Sequence, residues 1–259
     1  MDDEVLYAVD SGVGTIMLNR PQARNALTFA MYERLAAICG DPAAHGSPKV
    51  LIVTGAGDKA FAAGTDIAQF RAFATPEDAL AYEDRIEAVI TAIESCPIPT
   101  IAAISGAVTG GGGSIACACD IRIATASARF GYPIARTLGN CLSMANYARL
   151  AALLGPARVK EIIFTARLIE AEEGQRIGLY SEVLGDHAAL MTRARELAAT
   201  IASHAPLTMR ATKEALRRLA KAAVPEDGND LVVMCYTSAD FREGMEAFLG
   251  KRAPHWQGR

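Results

Sequence analysis

The chain has 259 residues, of which 51% are apolar and 21% are charged, and its formal net charge is −3. This length suits one large globular domain with an appendage, and the balance allows a large buried core. The absence of a basic block argues against a nucleic-acid partner, and the absence of an apolar run of about eighteen residues argues against a membrane span.

The N-terminal sequence and the cysteines indicate the cellular compartment. MDDEVLYAVD is neither a signal peptide nor an Arg-rich transit peptide, so we expect a cytoplasmic protein. The six cysteines are scattered, which favours free buried thiols in a reducing compartment. No second Cys or His pair accompanies Cys117 and Cys119, so no metal site is expected.

Strand and helix patterns alternate over most of the chain. Residues 14–18 and 50–54 are short apolar runs bounded by glycine or Pro48, which predicts strands. The segments IPTIAAISG and DIRIATASARFG predict further short strands. Between the first two strands, four apolar residues recur at helical spacing, namely Leu27, Met31, Leu35 and Ile38.

A second helix is predicted to begin after Thr75. Thr75 suits the N-cap, Pro76 suits the first turn, and two acids follow near the positive end of the helix dipole. The helix is predicted to end before Cys96-Pro97. From about residue 190 only helical patterns remain, interrupted by a predicted loop over residues 224–228.

These patterns predict an α/β fold, because strands alternate with helices along the chain. We expect an α/β core over residues 1–195. In the same domain, a helical C-terminal region is expected over residues 196–259.

Glycine-rich segments carry the strongest functional signals. GAGDKA, residues 55–60, resembles a dinucleotide fingerprint, but Gly64 stands where the required helix should form. TGGGGS, residues 109–114, predicts either a tight turn into a buried helix or a backbone that contacts a ligand. Peptide N–H groups at such a helix start can stabilise an oxyanion. KAFAAGTDI, residues 59–67, offers a second set of such groups after a strand.

Four segments together resemble the crotonase (enoyl-CoA hydratase/isomerase) family. They are NRPQARNAL near the N-terminus, KAFAAGTDI, SGAVTGGGGSIACACDIRIA, and DFREGMEAFLGKRAPHW near the C-terminus. The resemblance implies a crotonase-like spiral of ββα units followed by a helical trimerisation region. It also implies an acyl-CoA substrate and a homotrimer, or a hexamer built from two trimers.

The resemblance further implies the residues of the site. Two backbone N–H groups, those of Ala63 and Gly111, would hold the thioester oxygen and stabilise an enolate. The residues implied in binding the substrate and its coenzyme A are Arg24, Asn25, Ala26, Gly64, Asp66, Ile67, Phe248 and Lys251, the last two acting from a neighbouring subunit. Coenzyme A enters as part of the substrate, and no other cofactor is implied.

Two positions depart from the pattern of the family's hydratases. Those enzymes use two glutamates to position and activate water, and these positions here hold Ser114 and Ile134. A serine without an activating partner is a poor base, and isoleucine is none. No Asp or Glu occurs between Asp120 and Glu161 to replace them. Water addition by the two-glutamate route is therefore not expected, while Ser114 stays a catalytic candidate.

The segment after Pro133 differs from the glycine-rich run of the usual hydratases and supplies candidates for the acyl pocket. Tyr132 would donate a hydrogen bond or simply pack, and Arg136 would pair a substrate carboxylate or face solvent. Cys141 is a thiolate candidate or a buried thiol, and Ser143 falls near the nucleophilic aspartate of some family members. The full set of pocket candidates is Tyr132, Ile134, Arg136, Asn140, Cys141 and Ser143.

The residues favour an enzyme that stabilises the enolate or oxyanion of an acyl-CoA thioester. Isomerisation, decarboxylation of a β-carboxyl acyl-CoA and hydrolysis are all favoured over hydration. Decarboxylation needs the fewest acid and base groups, because the loss of CO2 itself generates the enolate. The alternatives are a non-catalytic acyl-CoA-binding protein and, against the acidic charge balance, an RNA-binding one.

Overall fold

Ten strands form two sheets in a computed structural model that describes residues 3–72, 75–222 and 228–259. The strands are β1 (Val5–Asp10), β2 (Val13–Leu18), β3 (Val50–Gly55), β4 (Ala60–Ala62), β5 (Thr100–Ile104), β6 (Ala107–Thr109), β7 (Ile121–Thr125), β8 (Arg129–Gly131), β9 (Ile169–Glu170) and β10 (Glu182–Leu184). The larger sheet has the order β1-β2-β3-β5-β7-β10, and the smaller has the order β4-β6-β8-β9. The strands predicted around residues 14–18 and 50–54 are confirmed.

Eleven α-helices cover the sheets within the same residues. They are α1 (Phe29–Gly40), α2 (Pro76–Glu94), α3 (Gly111–Ala118), α4 (Ile134–Thr137), α5 (Met144–Leu154), α6 (Pro156–Thr165), α7 (Ala171–Arg176), α8 (His187–Ala202), α9 (Pro206–Ala222), α10 (Asn229–Tyr236) and α11 (Ala239–Leu249). Short 3-10 segments cover Pro21–Ala23, Pro42–His45 and Ile67–Ala72. No helix in the described part of the chain is both long and apolar enough to cross a bilayer.

A ββα unit repeats three times and confirms the predicted spiral. Strands β3, β5 and β7 pair in parallel in the larger sheet, and the strand after each of them joins the smaller sheet. A helix then follows, which is α2, α3 or α4. Because β4 and β6 pair in parallel, with Ala62 opposite Val108, the two glycine segments that follow these strands leave the sheet side by side.

The central strands β3 and β5 of the larger sheet are buried on both faces, as their continuous apolar sequences require. In β3, Leu51 and Val53 face the main core beneath α1 and α2, while Val50 and Ile52 face a second core. That second core is closed by α8. The predicted change from core to C-terminal region, between residues 195 and 196, falls within α8, whose Ala198 still packs in this second core.

Helix α2 begins as predicted at a capping box. The Thr75 hydroxyl accepts a hydrogen bond from Asp78 N at 3.3 Å, and the Asp78 carboxylate accepts one from Thr75 N at 2.9 Å. The helix ends at Glu94, with Ser95 as its C-cap, and thus stops before Cys96-Pro97 as predicted. Its buried side includes Tyr82 and Ile86, so α2 directs these side chains into the interior.

The C-terminal quarter is helical, as predicted, from α8 to α11. The loop predicted over residues 224–228 lies, apart from Gly228, outside the described residues. GAGDKA leads from β3 directly into β4, so no helix opens inside this motif and the dinucleotide interpretation is wrong.

Gly106 joins β5 to β6 at a positive φ of 62° and packs on the turn that leads into β4. A Cβ atom at this position would overlap the Lys59 carbonyl group. Gly57 also has a positive φ, of 77°, but nothing lies within 4 Å of its Cβ position. Both alanine variants meet the same backbone strain, whereas only Gly106→Ala meets the overlap.

We therefore expect Gly57→Ala to lower the free energy of unfolding by about 1 kcal/mol, and Gly106→Ala by at least about 3 kcal/mol. Urea unfolding of both variants measures the difference. Equal losses would show that Gly106 is needed for its φ angle alone and does not hold β4 against β6.

Candidate active site

The GGGG run forms a tight turn from β6 into α3. Gly110 adopts φ 52° and ψ −126° before the helix begins at Gly111. A Cβ on Gly111 would overlap the Tyr32 hydroxyl, and one on Gly112 would overlap the Ala62 carbonyl oxygen, so both positions require glycine. The first N–H groups of α3 have no partner within the helix and carry the positive end of its dipole.

The second glycine segment lies directly against this turn. Gly64 has φ 99°, and a Cβ on Gly110 would be 3.4 Å from the Gly64 Cα. A Cβ on Gly64 would be 4.0 Å from Gly111 N. The backbones of residues 64 and 110–111 therefore touch, and the structure brings together the two segments that the sequence singled out.

The N–H group of Ala63 does not face this junction as a free donor. It donates to the Arg24 carbonyl at 3.1 Å, so the prediction for Ala63 is corrected. Leu27 N donates to Gly64 O and Asp66 N donates to Leu27 O, each at 2.8 Å, which forms a parallel bridge opposite Thr65. In such a bridge the N–H of Thr65 points the other way. Within the described residues it has no acceptor, so Thr65 carries the free amide next to Gly111.

A chain of hydroxyl groups fixes Thr65. Its Oγ1 lies 2.9 Å from the Tyr32 hydroxyl and 2.9 Å from the Tyr82 hydroxyl. Burial is the main cause that raises the pKa of both phenols. They therefore stay neutral, and they hold the Thr65 side chain between α1 and α2.

Ser114 lies one turn into α3 and is buried. Its Oγ is 3.3 Å from the hydroxyl of Tyr132, whose ring is fully buried and whose pKa is raised chiefly by burial. Ile134 is buried at the start of α4. Among the described residues, no carboxylate or imidazole bonds to Ser114, so nothing there activates it as a base.

The remaining pocket candidates have mainly structural roles. Arg136 is exposed, in line with the solvent-facing alternative. Ser143 is the N-cap of α5: its hydroxyl accepts from Asn146 N at 3.2 Å and donates to Glu87 at 3.3 Å, which excludes a free nucleophile. Cys141 donates to the Leu231 carbonyl at 3.4 Å, and the neighbouring Cys235 and burial raise the pKa of its thiol, so the thiolate interpretation is wrong.

The segment around Arg24 and Asn25 holds the loop before β4 by side-chain hydrogen bonds. Both residues adopt positive φ angles, of 51° and 54°. The buried Asn25 amide donates to the carbonyls of Ala56 and Ala60 at 3.1 and 2.7 Å. Arg24 is exposed, and the Ala26 carbonyl accepts from Arg20 at 2.7 Å. Asn25 therefore positions the loop, while the Arg24 side chain stays available to a ligand.

The other implied substrate-binding residues lie in two places, beside Gly64 and at the end of α11. Asp66 forms an ion pair with Arg20 at 3.1 Å, and Ile67 begins the 3-10 segment next to Gly64. Phe248 and Lys251 are exposed at and beyond the end of α11. Their contact with coenzyme A stays a prediction.

The structure shows one further carboxyl group, that of Glu83, which the sequence did not reveal and which lies against an aromatic side chain. Glu83 of α2 accepts a hydrogen bond from the Tyr236 hydroxyl at 2.6 Å. The Asn140 amide donates to that same hydroxyl at 3.1 Å. Burial raises the pKa of Glu83 to about 7, against the opposing effect of the Tyr236 hydrogen bond, and the charges of Glu87 and Asp84 add to the rise. Glu83 is thus a carboxyl group able to gain and lose a proton near neutral pH.

The signal for Glu83 was its position on the apolar face of α2. It stands four residues after the buried Ala79 and three before the buried Ile86, where an apolar residue is expected. A charged residue on such a stripe needs a buried partner, and Tyr236 is that partner. No local pattern in the sequence distinguishes the Thr65 amide from that of Ala63. Only the bridge between Leu27 and Thr65 determines which of the two N–H groups is free.

The contact between Gly111 and Tyr32 can be tested by a double-mutant cycle. Gly111→Ala should cost at least about 2 kcal/mol of unfolding free energy, because the new methyl group overlaps the Tyr32 hydroxyl. Tyr32→Phe removes that hydroxyl, which leaves the ring Cζ at 3.2 Å from the Cβ position. The double variant should lose less unfolding free energy than the two single variants lose together, by at least about 1 kcal/mol. Additive losses in urea unfolding would contradict the contact.

The comparisons with known proteins agree with this geometry. A family model described as enoyl-CoA hydratase/isomerase matches residues 8–259. A short-chain-enoyl-CoA hydratase of Clostridium acetobutylicum is 33% identical over 253 residues, which cover 96% of this chain and 96% of the relative.

Solved structures are similar over the full length. An enoyl-CoA hydratase/carnithine racemase from Magnetospirillum magneticum has a TM-score of 0.78 at 33% identity, covering 100% of this chain and 97% of that one. A methylmalonyl-CoA decarboxylase in complex with 2-nitronate-propionyl-CoA has a TM-score of 0.89 at 28% identity, covering 99% of both chains. With its ββα spiral and the paired glycine segments, the chain belongs to the enoyl-CoA hydratase/isomerase family.

Proposed function

We propose that this protein decarboxylates a malonyl-type acyl-CoA, in which a carboxylate is attached to the carbon next to the thioester. One observation carries the proposal: two free backbone amides lie next to side chains of α3 and α4 that carry no charge. Thr65 and Gly111 supply the amides, while buried, uncharged Ser114, Tyr132 and Ile134 occupy the surroundings of α3 and α4.

The chemistry follows from where the charge moves. When the carbon–carbon bond breaks, CO2 leaves and the electron pair passes to the thioester oxygen as an enolate. The two N–H groups face the developing negative charge on this oxygen, and so they stabilise the transition state more than the substrate. No base is needed for this step, which agrees with the loss of both glutamate positions.

Hydration needs a group that activates water, and Ser114 and Ile134 cannot supply one. Several relatives are named hydratases, whereas the structural relative with the TM-score of 0.89 is named a decarboxylase. Its likeness to this chain in shape supports the decarboxylase alternative. A second candidate, double-bond isomerisation, is favoured by one observation, the half-buried carboxyl group of Glu83.

The first test compares the reactions directly. The purified protein is incubated with malonyl-CoA, methylmalonyl-CoA, crotonyl-CoA and a 3-enoyl-CoA, and the products are separated by chromatography. We expect decarboxylation, with hydration slower by at least about 100-fold in kcat/KM because one to two acid–base groups are missing. Hydration as the fastest reaction would overturn the proposal, isomerisation would favour the second candidate, and binding without turnover would indicate a non-catalytic protein.

The assignment of the amide to Thr65 is tested by replacing single peptide bonds with esters. An α-hydroxy acid with the threonine side chain at position 65 removes only the N–H group, and the same change at Ala63 is the matched control. The ester at Thr65 should lower kcat by about 100- to 1000-fold with the fold intact. The ester at Ala63 loses the bond to the Arg24 carbonyl and should lower stability by about 1 kcal/mol with kcat nearly unchanged. The opposite pattern would restore Ala63 as the donor.

We also propose that copies of the chain associate through α9. This helix exposes Leu207, Leu216 and Leu219, with 76%, 61% and 69% of their surfaces accessible, which is unfavourable for an isolated chain. A trimer or a hexamer would cover them and bring Phe248 and Lys251 toward a neighbouring site. Light scattering of the purified protein measures the number of copies.

A further inference from the structure

Decarboxylation leaves an enolate that must take up a proton, and most hydroxyl groups near the amides are poor donors. Burial raises the pKa values of Tyr32, Tyr82 and Tyr132. Ser114 bonds only to Tyr132 among the described residues. The site therefore needs another acid.

Glu83 is held in a defined position by a short hydrogen-bonded series. The Asn140 amide donates to the Tyr236 hydroxyl at 3.1 Å, and this hydroxyl donates to Glu83 Oε1 at 2.6 Å. Within the described residues, Oε2 of Glu83 has no hydrogen-bond partner. The buried Asn140 Oδ1 has none either, so the cluster keeps one free polar atom inside the protein.

The cluster and the amides share one aromatic wall. The ring of Tyr236 lies 6.0 Å from the ring of Tyr82, and Phe70 lies 5.0 Å from Tyr82 and 6.4 Å from Tyr236. The hydroxyl of Tyr82 reaches Thr65 Oγ1 at 2.9 Å. An acyl group whose thioester oxygen lies at the Thr65 amide and whose chain follows these rings would reach Glu83 at the Tyr236 end of the wall.

No cation neutralises Glu83 among the described residues. On its own helix the nearest charges are Asp84 and Glu87, and Glu87 is paired with Arg149 at hydrogen-bond distances of 2.5 to 3.0 Å. The groups that face it from other elements are the thiol of Cys141 and the phenols of Tyr32, Tyr147 and Tyr236, whose pKa values are all raised, so they stay neutral. The hydrogen bond to Cys141 lowers the pKa of the neighbouring Cys235 thiol to about 7, which adds a negative charge and no cation. A carboxyl group in such surroundings favours its protonated form.

We propose that Glu83 is the acid and base of this site, which delivers a proton to the α-carbon of the enolate. The O–H bond at Oε2 breaks, a C–H bond forms at the α-carbon, and the resulting carboxylate is held by the Tyr236 hydroxyl. Solvent then returns the proton to Glu83. This inference rests on the proposed enolate chemistry, and Asn140 and Tyr236 are positioning residues.

The reverse step provides the test, because the same carboxylate removes an α-proton from a saturated thioester. Propionyl-CoA is incubated with the protein in D2O, and deuterium uptake is followed by mass spectrometry. Wild-type exchange should rise with pH through about 7, since the base must be deprotonated. Glu83→Gln should slow it by at least 100-fold, on the order of a lost acid–base group, with propionyl-CoA affinity within about threefold. Asp84→Asn, which changes an exposed neighbour, should keep the wild-type rate at high pH, and its profile should move only toward lower pH, because a charge that raises the pKa of Glu83 is lost.

Tyr236→Phe removes the hydrogen bond that favours the carboxylate, so its exchange profile should move to higher pH. A variant of purely structural effect would lower the rate without moving the profile. If circular dichroism shows that Glu83→Gln does not fold, the pH profile of Tyr236→Phe still tests whether Glu83 is the base.

The outcomes separate the two proposals. Exchange lost in Glu83→Gln, but with no decarboxylation by the wild type, would support Glu83 and overturn the proposed function. Decarboxylation with unchanged exchange in Glu83→Gln would overturn only the role of Glu83, as would decarboxylation without any wild-type exchange. The absence of both reactions in the wild type would overturn both.

Discussion

The close backbone contact between Gly64 and Gly110 is the constraint on which this site depends. Two peptide N–H groups can face one oxygen only if their chains run close together, and the positive φ angles of Gly64 and Gly110, 99° and 52°, favour glycine at both positions. The parallel pairing of β4 and β6 creates the approach, and Asn25 holds the neighbouring loop in place through two carbonyl groups. Backbone pairing and the Asn25 side chain thus place the two amides that are proposed to hold the oxyanion.

Side chains around this backbone site can then change without disturbing it. At the two positions where the family resemblance predicts the glutamates of a hydratase, Ser114 and Ile134 fit into packed, neutral surroundings. The carboxyl group that remains nearby comes from a different helix, α2. Under the proposed function, the two amides would still stabilise an enolate, while the acid and base group would come from α2.

Much of the fold could be predicted because its signals are local. The capping box at Thr75 and the apolar run of β3 each depend on neighbouring residues, and both were confirmed. The free amide was misplaced at Ala63, because the bridge from Leu27 that turns Thr65 N–H outward joins distant segments. Glu83 was missed for the same reason, since its partner Tyr236 lies 153 residues further along the chain.

The Tyr236 hydrogen bond also orders the assembly of the site in time. The two glycine segments and Glu83 are complete once the first half of the chain has been synthesised, whereas Tyr236 belongs to α10, near the C-terminus. A nascent or truncated chain that lacks α10 would have both amides and an acid that nothing orients. Under the proposed function, such a chain would hold the two amides but lack the oriented acid that returns a proton to the enolate.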